Sequence, residues 1–571
     1  MGVAGTARAG CNGEATPLHA LSALSGHERV DVRGVVIAVF PGLKGFFLEA
    51  AHADWDTNPK TSEAVFVYRG RHPLHLDVGT RIAFNARYQL FHGVPELSRV
   101  RALSRCGQAQ LPPTVDLSLP LAAGTWTARR GMRVRISQAL TVGDLGDFVR
   151  YGEVRVSADG RHFAPTAQTV PGPGAASLER VESSRLLWLD DGSSQAHPLH
   201  LRLGTVRFDA QHPLRSGQML HTVTGIAYRA FGRNLLEVTA LDVDAGANPR
   251  RTVAELHLPT GLRVVSFNVE NYFNRALTGS PFPTERGARS ATHFRCQTQK
   301  LVAAFAQLRP VVAGVQEIEN NGYGNGGALA TLVGALNHRI TDAAYHFIRP
   351  PHREHLGTDL IAPALLYDAQ HVMPQGRVAV LSAPASNHAL YEGLPRPALA
   401  ASFKRKDNGA VFTVVVVHLR SKRSRCGGGL DSHAGAGHCA LARTQASRYL
   451  AHWVASRPTG VRSDAVVLLG DFNAYPHESA MRVLQRAGWR TEPPLNAQHP
   501  AYSESGSWGA GRLDYILVSP ALATAVRGAA IWHSDADEAP GFGYAGRPAC
   551  TGTAAPYRAS DHDPVVAVLG Q

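Results

Sequence analysis

Apolar positions follow two rhythms along this chain. Over the first half they form short blocks that alternate with polar residues. Val30-Asp31-Val32-Arg33 begins as a strand with one apolar face, and Val35 to Val39 continues it as a fully apolar run. Gly45 to Glu49, Ala64 to Tyr68 and Arg81 to Ala86 follow, each bounded by Gly, Pro, Asn or Asp. These blocks predict a small β-barrel over residues 17–115. Leu111-Pro112-Pro113 reads as a linker. Residues 118–250 return to short strands between Gly and Pro turns, at Met132–Ile136, Gly152–Val156 and Leu186–Leu189, and predict a second all-β module.

Over residues 260–571 apolar strands alternate with helical patterns, as a layered α/β or α+β domain requires. Strands are predicted at Leu262–Val269, Val311–Val315, Val411–Val417, Asp464–Leu469, Arg512–Val518 and Val565–Leu569. Helices are predicted at Thr298–Leu308, Leu329–Leu336, Ala440–Val454 and Ser479–Ala487.

Each of these strands carries polar residues at or near an end. Asn268 and Glu270 close the first, Glu317 the second, His418 the third, and Asp471 and Asn473 the fourth. Asp514 lies in the fifth, and Ser560-Asp561-His562-Asp563-Pro564 leads into the sixth. One such residue is ordinarily a cap or a solvated end. Six strand ends in one domain, all Asn, Asp, Glu or His, fit that reading poorly. A carboxylate directly behind an apolar run is costly to bury unless it meets a cation or a cleft, and an Asn two residues on adds an uncharged donor for an anion. Hydrolysis of a phosphodiester needs these parts: groups that spread extra negative charge, and a base for water.

The ordered segments Ser266-Phe267-Asn268-Val269-Glu270-Asn271, Val315-Gln316-Glu317, His418-Leu419-Arg420-Ser421-Lys422, Gly470-Asp471-Phe472-Asn473, Arg512-Leu513-Asp514-Tyr515-Ile516 and Ser560-Asp561-His562-Asp563-Pro564 closely resemble the endonuclease/exonuclease/phosphatase superfamily. With the first module similar to an OB-type barrel, the whole resembles the bacterial extracellular nuclease branch. The resemblance implies an α+β four-layer sandwich, two packed β-sheets flanked by helices, with the site where loops of both sheets converge. It also implies roles. Glu317 is expected as the main ligand of Mg²⁺ or Mn²⁺, with Ca²⁺ as an alternative, and Glu270, Asn268 and Asp561 as further ligands. Asp471 is expected to orient or deprotonate water while Asn473 holds phosphoryl oxygens. His562 is expected to donate to the developing oxyanion, with Asp514 fixing its tautomer. His418 is a second phosphate-facing imidazole, and Asp359 is the candidate for its acidic partner.

Composition sharpens the partner. The 571 residues carry 58 Lys and Arg against 45 Asp and Glu, a formal charge of +13, which favours a polyanion. Arg420 and Lys422 beside His418 are candidate substrate grips; Lys404-Arg405-Lys406, Arg423 and Arg425 read first as solvated charges. Phe46, Phe47, Phe66 and Tyr68 fit a barrel core better than a base-stacking platform, and Asp54 and Asp56 fit a solvated turn better than a calcium loop. His352 and His355 read as a surface loop. Six widely spaced cysteines without a CxxC point to disulfides: Cys426–Cys439 as a local clip, then Cys11–Cys106 and Cys296–Cys550. No run approaches the roughly twenty apolar residues of a membrane span, and Met1 to Gly10 has no apolar signal core. The expectation is a secreted monomer numbered from near its mature terminus. A divalent-metal-dependent nuclease on DNA, with RNA as a second substrate, is therefore the leading reading. A lipid or small-molecule phosphodiesterase of the same fold and a non-catalytic nucleic-acid-binding protein are the alternatives.

Overall fold

The computed structural model describes residues 10–70, 75–198, 200–275, 281–382, 388–427, 435–496, 500–546 and 555–570. The chain divides into two compact units, residues 1–161 with 182–248, and residues 162–181 with 249–571.

In the first unit, strands Arg29–Phe40, Gly45–Glu49, Ala64–Tyr68, Val94–Gln108 and Thr80–Phe91 close in that order into a five-stranded barrel. Alternation places Val30, Val32, Phe84, Ala86 and Leu97 inside it, and Cys11–Cys106 ties its ends. A seven-stranded sheet that includes the long hairpin Met219–Ala230/Arg233–Asp244 belongs to the same unit, with a two-stranded sheet, Leu201–Leu203 and Val206–Phe208. Phe40, Phe47 and Phe66 of the barrel pack with Ile226 and Tyr228 of that sheet. Phe46, Phe47 and Phe66 are accordingly core residues, and of the four aromatics only Tyr68 is exposed. The expected all-β second module is corrected in two respects. It contains a helix at Pro173–Ser184, and residues 162–181 leave it to join the second unit. Asp56 closes its loop by accepting from the Asn58 N–H at 2.9 Å and from Thr61 Oγ1 at 2.8 and 2.9 Å.

The second unit holds two six-stranded sheets. The first runs Tyr345–Phe347, Ile361–Asp368, Val312–Glu319, Leu262–Tyr272, Val565–Leu569 and Val526–Ile531. The second runs Val372–Leu381, Ala398–Arg405, Val411–His418, Val466–Asp471, Asp514–Val518 and Arg490–Glu492. Val264, Val312 and Val565 of one sheet share a core with Val414, Val416, Leu469 and Ile516 of the other. Being buried on both faces, these strands read as continuous apolar runs in the sequence. Helices Ala291–Leu308 and Ala328–Arg339 pack on the far side of the first sheet; Ala440–Ala455 and Ser479–Arg486 pack on the second. Cys426–Cys439 is bonded as expected, whereas Cys550 of the third expected pair lies outside the described residues. Among the described residues no helix is long and apolar enough to cross a membrane.

Candidate active site

The second sheet delivers three of the expected residues side by side. His418 is the register partner of Asp471 in a parallel pair, and Asp471 is the partner of Asp514 in an antiparallel one. Gly470 makes this possible: at φ 143°, a Cβ there would sit 2.0 Å from the Val417 carbonyl oxygen. His562 arrives from the loop before Val565–Leu569, pinned where Ser560 Oγ donates to the Asn268 carbonyl at 2.6 Å. Its Nδ1 lies 2.7 Å from Asp514 Oδ2, which also accepts from Ser503 Oγ at 2.6 Å. Burial opposes charge on His562, but the carboxylates of Asp514 and Asp561 outweigh it and hold the imidazole well above its ordinary value.

The first sheet supplies its residues through broken register. Pairing slips between Asn268 and Tyr272 on one strand and between Val315 and Ile318 on its neighbour. Glu270, Asn271 and Glu317 there take left-handed backbone, at φ 52°, 49° and 68°. That conformation is uncommon for side chains other than glycine, and such bulges re-aim a side chain out of a strand. The Asn268 amide donates to Glu317 at 3.2 Å and to Asp471 at 3.3 Å, joining the two sheets' carboxylates. Its oxygen accepts from the Glu270 N–H at 3.1 Å, so the expected metal-ligand oxygen is turned to backbone. Asn473, also left-handed at φ 48°, donates its side-chain amide to Asp471 at 3.0 Å and to the Leu419 carbonyl at 3.2 Å. It props Asp471 instead of presenting that donor to a phosphate.

His418 is buried and has an unexpected neighbour. Arg396 places Nη1 3.0 Å from His418 Nδ1 and 2.9 Å from Nε2, while Nε2 lies 3.3 Å from Asp471. A guanidinium only donates, so one ring nitrogen must offer it a lone pair and the ring is neutral. Burial and then the Arg396 charge hold His418 below its ordinary value, in agreement. Burial would raise Asp471, but the histidine contacts and the Asn473 N–H keep it at about 2, ionised at neutral pH.

Three expected residues land elsewhere. Asp359 does not reach His418; its carboxylate faces Arg396 at 3.7 Å and Arg286 at 3.5 Å, so it supports the histidine only through Arg396. Lys422 is no phosphate grip. Its ammonium is buried against Glu478, bonded to the Ala436 carbonyl at 2.9 Å and 4.3 Å over the Tyr475 ring. Arg420 is half-buried on the Glu392 carboxylate at 3.0 Å, which occupies its guanidinium. His355 Nδ1 contacts the Asn320 carbonyl at 2.8 Å, and His352 is exposed in the same loop. Arg396 and Ser503 lie outside the expected set. Arg396 sits in Leu394-Pro395-Arg396-Pro397, just before the strand Ala398–Arg405. A charged residue at the mouth of an apolar strand was the available signal.

The carboxylate oxygens of Glu317, Glu270 and Asp561 suit a hard divalent cation in kind, though their ligand atoms do not gather within 4.8 Å of one another. Burial, then the charges of Asp561 and Glu317, push Glu270 up to about 8. Carboxylates crowded to that degree are stabilised by a bound cation with oxygen preference, Mg²⁺ or Mn²⁺ above softer ions. Asp471, Asp514 and His562 bring ligand atoms within 4.8 Å of one another, but His562 and Asp514 are committed to each other there.

Comparison with known proteins gives one family. The model of the Endonuclease/Exonuclease/phosphatase family matches residues 265–562, just over half of the chain. No curated protein sequence matches. Similar solved structures include an endonuclease/exonuclease/phosphatase family protein from Bacteroides thetaiotaomicron, at 16% identity over 54% of this chain and 97% of that one, TM-score 0.34. The human Nocturnin catalytic domain with bound sulfate is 15% identical over 54% and 93%, TM-score 0.34. D. rerio TDP2 complexed with single strand DNA product is 14% identical over 55% and 100%, TM-score 0.34.

Proposed function

The chain belongs to the endonuclease/exonuclease/phosphatase family, and from that premise we propose that it is a secreted, divalent-metal-dependent nuclease. It hydrolyses phosphodiester bonds of DNA, and of RNA as a second substrate, with little sequence preference. Members of this family act on phosphodiester or phosphoester bonds. The observation that carries the reading is the pair of oppositely tuned groups at one strand end: Asp471 held ionised, beside His562 held protonated by Asp514 at 2.7 Å. Groups whose environments drive their proton affinities apart are suited to acid and base roles.

Glu317, Glu270 and Asp561 would hold the cation, which when bound would stabilise the negative charge that develops on the phosphoryl oxygens. Asp471 takes a proton from the attacking water as its oxygen adds to phosphorus. The bond to the leaving ester oxygen breaks, and His562 hydrogen-bonds to the developing oxyanion or gives it a proton. Asn268 and Asn473 keep Asp471 aimed, and Arg396 holds the neutral His418 ring against Asp471. Nucleic acid is favoured over lipid by the charge of +13. It is also favoured by the closed five-stranded barrel, whose order suits an OB-type module. Shared apolar residues between the sheets, with helices outside each, support a four-layer α+β sandwich. The disulfides Cys11–Cys106 and Cys426–Cys439 suit an oxidising compartment and hence secretion. The protein is taken to act as a monomer.

The test is release of acid-soluble nucleotides from plasmid DNA and from RNA, beside choline release from sphingomyelin. Glu317→Gln and chelation should each abolish nucleotide release, with Mg²⁺ or Mn²⁺ restoring the chelated enzyme. Choline release without nucleotide release would move the substrate to lipid, and full activity in chelator would remove the metal.

A further inference from the structure

A tryptophan sits at the turn of a short hairpin in the segment that leads into Asp514. Strands Glu504–Gly506 and Gly509–Gly511 pair antiparallel, with Ser507 and Trp508 between them. Trp508 is 42% exposed. The Arg423 guanidinium lies 6.0 Å from its ring centroid; Arg423 is 70% exposed and 4.0 Å from Glu504.

The base of this hairpin is fixed. Ala510 donates its N–H to the His162 carbonyl at 2.9 Å, and its carbonyl accepts from the Ala164 N–H at 3.0 Å. A Cβ on Gly509 would meet the Ala164 nitrogen at 2.7 Å, and one on Gly511 the Tyr475 ring at 2.2 Å. Both groups also hang from segments that carry site residues. Ser503, just before the hairpin, donates to Asp514, and Gly511 continues through Arg512 and Leu513 into Asp514. Trp508 and Asp514 are six positions apart, a reach of at most about 20 Å. Arg423 is five positions beyond His418 on the loop that leaves it.

We propose that Trp508 and Arg423 form a stacking subsite for one nucleobase flanking the scissile phosphate in an unpaired strand. The inference rests on the nuclease reading above and names the part of the substrate held away from the reacting phosphate. A flat indole and a planar cation, both presented to solvent from a fixed base, match the face of a base and the charge of the adjacent phosphates. The neighbours of Trp508 in the turn are Ser507 and Gly509, so the apolar area is that of one ring. This suits a base and is too small for a protein or lipid surface. Stacking on a π-face common to all four bases gives grip without sequence readout.

Steady-state cleavage of a single-stranded oligodeoxynucleotide by the full chain tests this. Trp508→Ala should raise KM about ten-fold or more with kcat within about twofold, and Trp508→Phe should recover most of the loss. On the same strand made abasic next to the cleaved bond, the parent should show the raised KM and Trp508→Ala should add nothing further. A KM for Trp508→Ala within twofold of the parent, or an equal loss on the abasic strand, overturns the subsite while leaving the nuclease reading intact. A parent that cleaves no polynucleotide overturns both.

Discussion

Replacing Asp514 by Asn isolates the acid half of the proposed chemistry. The carboxylate is fully buried and touches His562 Nδ1 at 2.7 Å, so the substitution removes a charge-assisted hydrogen bond and little volume. A hydrogen bond to a charged group is worth about 1.5–3 kcal/mol, or roughly 10- to 150-fold in rate if felt only in the transition state. An amide that fixes the wrong imidazole tautomer costs up to about 10⁴-fold in triads of this logic. The expected fall in kcat is therefore about 10²–10⁴-fold. Folding should survive, because burial pushes Asp514 itself up to about 6. Removing that charge relieves desolvation. The pH profile supplies a second readout. Asp514 and Asp561 hold His562 protonated, and the protonated ring is the proposed donor, so activity is lost as pH rises through its raised value. In Asp514→Asn that alkaline limb should move to lower pH. Plasmid or oligonucleotide turnover between pH 5 and 10, with a melting curve as control, measures both. A kcat within fivefold of the parent and an unmoved alkaline limb would refute the assignment.

Arg396→Lys should lower kcat/KM about 10- to 100-fold on polynucleotide, because a single ammonium cannot reproduce the planar donor set beside His418; unchanged kinetics would make Arg396 a packing residue. Lys422→Met should destabilise the second unit by up to about 3–5 kcal/mol, since it removes the nearest cation from the buried Glu478 and leaves only Arg443 at 4.0 Å and the Thr166 hydroxyl. The double variant Lys422→Met/Glu478→Gln should regain much of that in a denaturant melt, and a double variant no better than the single would contradict it. In the first unit, burial and then Asp191 push Asp190 up to about 7, next to a Glu237 that burial raises further. The folded state thus holds protons that the unfolded chain releases above about pH 4, so stability falls as pH rises from about 4 to 7. Asp190→Asn, which keeps an acceptor for the Gly192 N–H, should raise the melting temperature at pH 8 by a few degrees and converge with the parent near pH 4. Parallel melting curves at all pH values would refute it.

The sequence was most legible where one strand carries its own signal. Val565–Leu569 is a strand as predicted, and Val411–His418 and Val466–Asp471 differ from prediction only at their ends. These strands are apolar on both faces, and polar residues sit at an end of each, so pattern and chemistry coincide. Ile361–Asp368 went unread because Pro363 demotes a strand in sequence, and Val372–Leu381 because an edge strand carries Pro374, Gln375 and Gly376. Within the site, the side chains delivered by strand ends were readable, but their partners were not. The fate of Lys422 depends on Glu478, far along the chain, and no local pattern announces a buried ion pair between loops. Asp359 was matched to the correct histidine in the wrong order, since Arg396, set between two prolines, stands between them.

The boundary that the hydrophobic pattern places between residues 250 and 260 does not enclose the whole of the second compact unit. Residues 162–181 come from the stretch read as a second β module, yet they belong to the second unit, and they act at its most sensitive point. Ala164 and Ala167 pack with Tyr475 and Leu513. Leu513 directly precedes Asp514, and its carbonyl accepts from the Phe472 N–H at 2.9 Å, next to Asp471. Thr166 Oγ1 donates to Glu478 at 2.8 Å, the carboxylate that holds Lys422. Site residues held in left-handed backbone, as Asn473 is, persist only where their surroundings over-determine them. The segment supplies part of that constraint from outside the strand sequence itself. A chain cut at residue 250 would keep every proposed catalytic side chain and lose the packing on Tyr475 and Leu513 beside Asp471 and Asp514, so the proposed chemistry should suffer.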